Sequence, residues 1–150
     1  MEKTNVKVFI ASSAEVKEER NECVSFLSQI NKSHTHLHLE AVEWEYDMVG
    51  GSNPGFETIQ KAINPKLEEC ALCVFIFYSK IGKFTEEEFK LASELKKKII
   101  PFFKKGFSPE TDKAIAEWRK LVKFKKSMNE TNLYKEYQDI KDLELLLTQI

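Results

Sequence analysis

Polar and apolar positions alternate along the chain in two rhythms, and the switches between them outline the elements. The run Val6-Lys7-Val8-Phe9-Ile10-Ala11 is short, apolar and rich in β-branched residues, which predicts a strand, with Ser12-Ser13 as the following loop and helix cap. Val16, Cys23, Val24, Leu27 and Ile30 then recur at helical spacing over a charged opposite face, predicting an amphipathic helix that ends near Asn31. Residues 37–44 alternate, as a strand with one solvent-facing side does at the edge of a sheet. Residues 71–78 are apolar throughout, as a central parallel strand buried on both faces should be.

Seven more segments complete the pattern. Residues 45–55 hold Gly50-Gly51 and Asn53-Pro54-Gly55, strong turn formers, and predict a long loop. Phe56, Ile59, Ala62, Ile63 and Leu67 predict a helix that Pro65 kinks or ends. A helix starting at Thr85 buries Phe89, Ala92 and Leu95 and carries Lys96, Lys97 and Lys98 in its last turn. Then come a strand over 99–103, a helix over 110–127, a short strand over 133–137 and a final helix over 140–150. Regular strand and helix alternation implies a parallel sheet, and with five strands the simplest architecture is a three-layer α/β flavodoxin-like fold of order 2-1-3-4-5. Its crevice lies where strands one and three diverge, gathering Ser12, Ser13, the 45–55 loop with Asp47, and the stretch from Tyr78 to Glu88.

At 150 residues with 42% hydrophobic and 11% aromatic content, the chain is read as one globular domain. The net charge of −1 argues against general nucleic-acid binding, although residues 96–126 carry eleven basic against three acidic side chains, a local +8 read as a solvated face. No stretch reaches the length of a membrane helix and the N-terminus has no signal-peptide core, so a cytoplasmic location without membrane attachment is expected. Cys23, Cys70 and Cys73 sit on apolar faces and are read as reduced core thiols. His34, His36 and His38 share a strand face, yet a polar edge explains them better than a metal site.

The chemistry is narrowed by what is missing. The sequence has no G-x-G-x-x-G, no G-x-x-x-x-G-K-[ST] and no G-x-S-x-G, and its three histidines lie together away from the crevice. Nucleotide-loop and triad enzymes are thereby disfavoured, and no resident cofactor is expected. What remains at the crevice is one cluster of carboxylates, with Ser12, Ser13, Trp44, Tyr78, Ser79 and Phe84. Aromatic walls beside one acid suit a nucleoside-type ligand whose ring stacks and whose ribose hydroxyls the acid holds. Glu88 is the nominated carboxylate. Thr85 as helix cap with Glu88 as its capping-box partner is a purely structural account of the same spacing.

Several of these pieces resemble a bacterial TIR-like domain (Toll/interleukin-1 receptor homology). The run from Val8 to Ser13 is similar to the family's opening strand, and Asn53-Pro54-Gly55 with Ile59 and Ala62-Ile63 to the loop and helix after strand two. Residues 74–79 match the hydrophobic strand ending in serine, and Glu88, Ala92 and Ile100-Pro101 match the stretch bearing the family's catalytic glutamate. Gly82-Lys83-Phe84-Thr85 stands where the family often has Ser-x-Trp-Cys, and Glu15 stands near the place of an expected aspartate, which marks a divergent branch. The resemblance implies cleavage of the nicotinamide–ribose bond, with NAD+ as substrate. Glu88 would be catalytic, and Ser12, Ser13, Trp44, Asp47, Tyr78, Ser79 and Phe84 would bind substrate. It also implies self-association through the 45–55 loop, a fused sensor or oligomerisation domain, and a clustering-activated role in antiphage defence. A nucleoside 2-deoxyribosyltransferase-like enzyme, which Gly82, Thr85, Glu88 and Ala92 also resemble, and a non-catalytic self-association module remain as alternatives.

Overall fold

The computed structural model describes residues 4–33, 36–45, 67–81, 83–128 and 134–148. Five strands, β1 (Thr4–Ser12), β2 (Leu37–Glu45), β3 (Leu72–Phe77), β4 (Lys98–Lys104) and β5 (Lys135–Tyr137), form one sheet of order β2-β1-β3-β4-β5. Every neighbouring pair is parallel. A single 3-10 turn (Ala14–Val16) leads into α1 (Lys17–Ser33), and α2 (Lys83–Glu94), α3 (Asp112–Met128) and α4 (Ile140–Leu147) follow. This is the expected flavodoxin-like α/β architecture, with β2 at an edge as its alternation predicts.

Strand pleating divides the core into two layers. Phe9 and Ala11 of β1 and Cys73, Phe75 and Phe77 of β3 point one way, where Phe89 and Ala92 of α2 and Leu121 and Met128 of α3 pack on them. Val8, Ile10, Val74 and Ile76 point the other way, against Val16 and Cys23 at α1 and Leu143 and Leu147 of α4. The first layer is notably aromatic: Phe89 meets Phe75 and Phe124 edge-on at 5.3 and 5.0 Å. All three cysteines are buried, and none is in a disulfide. Among the described residues no helix is long and apolar enough to cross a membrane.

Three local expectations are corrected. Ser12 is the last residue of β1, fully buried, and not a loop cap; strand pairing with Glu45 of β2 and Ile76 of β3 extends β1 past the sequence-predicted end. Thr85 lies inside α2, which begins at Lys83, so it is not that helix's cap and Glu88 is its sixth residue. Lys96–Lys98 do not belong to the last turn of α2. The helix stops at Glu94 in a Schellman turn, in which Lys96 N–H donates to Ser93 O at 3.1 Å and Lys97 N–H to Ala92 O at 3.0 Å. Lys96 holds the left-handed position at φ 57°, and Lys98 opens β4.

Candidate functional site

In an open parallel sheet, loops and helix starts at the carboxyl ends of the strands build the ligand site. Here that edge holds a charged network anchored by the first turns of α1. Glu19 and Arg20 are 3% and 4% exposed, although both are charged. Arg20 Nη1 donates to Ser12 Oγ at 3.2 Å, and its Nε lies 3.4 Å from Glu43 Oε1 at the end of β2. Tyr137 of β5 donates its hydroxyl to Glu19 Oε2 at 3.0 Å, and Lys104 at the end of β4 lies 3.6 Å from Glu19 Oε1. One helical turn thus binds the ends of β1, β2, β4 and β5. Buried charges persist only when paired in this way.

Ser79 is held twice by Glu15. Its backbone N–H donates to Oε1 at 2.9 Å and its hydroxyl to Oε2 at 2.5 Å. The ring of Tyr78 packs edge-on against Phe107 at 5.4 Å, with Lys104 Nζ 5.1 Å from its centroid. Ser12, Ser79 and Tyr78 are therefore brought together around Glu15, Arg20 and Lys104. Ser13 is half-buried, and its carbonyl accepts from Val16 N–H at 3.3 Å to start the 3-10 turn.

Glu88 occupies the opposite layer, on the sheet-facing side of α2 with Phe89 and Ala92, and is fully buried. Burial pushes the Cys73 thiol up to about 12; neighbouring Cys70 and the charge on Glu88 add to the rise, against an opposing effect of Lys97. Trp44 is placed in β2 opposite Ala11, and Phe84 in the first turn of α2. Asp47 and the 45–55 loop beyond Glu45, as well as the helix expected over 56–66, lie outside the described residues.

Sequence reasoning missed Glu19, Arg20, Lys104 and Tyr137. A signal was present: Glu19 and Arg20 fall three and four residues after Val16 and just before Cys23, on the apolar stripe of α1 rather than its charged face. Among the described residues, His36 and His38 are exposed and outside this network, and no group of three His, Cys, Asp or Glu residues able to hold a metal occurs.

Sheet order, parallel pairing and a polar carboxyl edge define the chain as an open, doubly wound α/β domain. It belongs to the family described as Domain of unknown function (DUF4062), whose profile matches residues 7–149. No curated protein matches the chain. Among solved structures it is similar to the translation elongation factor SelB from Methanococcus maripaludis in its apo form, at 11% identity and a TM-score of 0.55 over 99% of this chain. The match covers 35% of the elongation factor, so the chain spans about a third of that length, and at this identity the likeness is one of fold.

Proposed function

We propose that the chain is a divergent TIR-like domain that cleaves the nicotinamide–ribose bond of NAD+ with Glu88 as its catalytic carboxylate. The observation that carries this reading is the burial of Glu88, at 0% exposure, in the helix whose Phe89 and Ala92 pack into the aromatic layer. Taking a carboxylate out of water opposes folding, and carboxylates kept in such places are candidates for chemistry. The five-stranded order and the descent of α2 from the central strand β3 support the same reading.

The reaction asks little of the protein beyond one negative charge. The C1′–N bond breaks, and nicotinamide leaves as a neutral molecule with the bonding pair. The positive charge left on the ribose resembles the oxocarbenium centre of glycoside hydrolysis. A carboxylate beside C1′, bonded to ribose hydroxyls, stabilises that charge. Water then adds at C1′ and releases a proton to solvent, giving ADP-ribose. The same reading ties turnover to assembly with further copies of the chain.

The test is nicotinamide release from NAD+ by protein held at high density on beads, with Glu88→Gln as control. Release that falls by about 10²-fold or more in Glu88→Gln is expected, the size of loss seen when a transition-state charge partner is removed. A folded, clustered sample that releases nothing, with Glu88→Gln indistinguishable from the parent, overturns the proposal. Free base released from deoxynucleosides instead selects the transferase alternative, and self-association without any turnover selects the binding module.

A further inference from the structure

We propose that the cavity between the carboxyl end of β4 and α3 binds a planar aromatic ligand bearing a phosphate, the chemistry of a nucleotide, at a site distinct from Glu88. The cavity has a volume of about 440 Å³, within the range of small-molecule sites. It gathers the basic 96–126 segment, whose charge was read from sequence as a solvated face. Folding interleaves its lysines with rings from other parts of the chain.

The rings form a preorganised wall. Phe107 meets Tyr78 at 5.4 Å and Trp118 at 5.3 Å, so three rings run in series along one side. Tyr134 also lines the cavity, edge-on to Phe103 at 5.3 Å. Gly106 makes this possible: its φ of +95° turns the chain between Lys105 and Phe107. These contacts fix the rings at angles of 53–75°, leaving faces and edges available to a stacked base.

The charge is unbalanced toward the solvent side. Four lysines line the cavity, and no carboxylate does so among the described residues. Two of the four are compensated from behind: Lys104 by Glu19 at 3.6 Å and Lys125 by Glu136 at 2.5 Å. Lys105 and Lys126 are exposed, and neither is in an ion pair among the described residues. A neutral ring would leave these two cations unused, and a bare phosphate would leave the wall unused. A ligand with both parts satisfies the whole lining, as stacked bases and basic side chains do in nucleotide recognition.

Trp118 supplies the readout. The full chain is titrated with ADP, adenosine and pyrophosphate while tryptophan fluorescence is followed, and Trp118→Phe separates its signal from that of Trp44. ADP is expected to quench Trp118 and to bind about tenfold or more tightly than adenosine or pyrophosphate, the weight of one charge-assisted contact. The double variant Lys105→Gln/Lys126→Gln, altered only at exposed positions, should weaken ADP by about the same factor with an unchanged circular dichroism spectrum. Absence of a Trp118-dependent signal at millimolar ADP, equal binding of adenosine or pyrophosphate, or unchanged affinity in the double variant each overturns the assignment. Glu88→Gln should bind ADP as the parent does, so the failure of either proposal is recognisable without the other.

Discussion

Glu15 and Ser79 are joined by two hydrogen bonds across 64 residues, one to the backbone and one to the hydroxyl of the same serine. The contact closes the gap between the turn after β1 and the turn after β3, where the sheet's carboxyl edge diverges. Glu15→Ala should cost about 1–2 kcal/mol, since bonds to a charged acceptor are stronger than neutral ones but this pair is solvent-exposed. Ser79→Ala removes only the hydroxyl bond and should cost less. A double-mutant cycle in urea should give a coupling of about 1 kcal/mol; additive effects would show that the pair does not hold the two turns together.

Tyr137→Phe deletes a single hydroxyl that donates to buried Glu19. The carboxylate then keeps Lys104 but loses its shortest partner, and the expected loss is about 1.5–3 kcal/mol. Thermal or urea unfolding measures it directly. A loss no larger than that of an exposed tyrosine would mean that water or Lys104 replaces the hydroxyl.

Lys96→Gly should stabilise the protein. Lys96 sits at φ 57° in the Schellman turn that ends α2, and its side chain is exposed. Glycine removes the left-handed strain at some cost in unfolded-chain entropy, for a net gain of about 0.5–1 kcal/mol. The mirror case is Gly106→Ala: a Cβ there meets no atom within 4 Å, so only the φ of +95° opposes it, at about 1 kcal/mol. Equal urea midpoints for both variants would contradict the backbone argument.

Stability should fall in alkaline solution. Burial pushes Cys23 up to about 12, Cys70 up to about 11 and Cys73 up to about 12, each from an ordinary value of 9.0. Burial, with the charge of Glu19, also raises Tyr137 above its ordinary 10.0. The folded state holds these protons after the unfolded chain has released them. Their contribution is therefore complete below pH 9 and is lost as pH rises from there through 11 and 12. Urea midpoints at pH 7.5 and pH 10 test the sign. In the folded protein the thiols should also resist labelling at neutral pH, reacting only as it unfolds.

Much of the architecture is written in the spacing of apolar residues. The continuous run in β3 and the alternation in β2 distinguish a centre strand from an edge strand, and that contrast fixes much of the sheet order. Element ends are less legible, because they depend on partners. Pairing with β2 and β3 carries β1 through Ser12, and the start of α2 at Lys83 places Thr85 within the helix. The left-handed turn at Lys96 carries no glycine to announce it. The site is less legible still. Glu19 and Arg20 interrupt the apolar stripe of α1 without naming their partners, which β4 and β5 supply as Lys104 and Tyr137, and the +8 segment looks solvated until Tyr78 and Tyr134 arrive beside its lysines.

The reach of Glu19 and Arg20 across the sheet has a consequence for the order in which the chain is made. Ser12 and Glu43, the partners of Arg20, are synthesised early; Lys104 and Tyr137, the partners of Glu19, come more than eighty and one hundred residues later, the latter separated by 118 positions. Until they emerge, Glu19 keeps its hydration and works against docking α1 fully onto the growing sheet. The mouth of the crevice is thus among the last parts of the domain to close during translation, and a nascent chain stalled before residue 137 would expose α1 to proteases that the finished domain excludes.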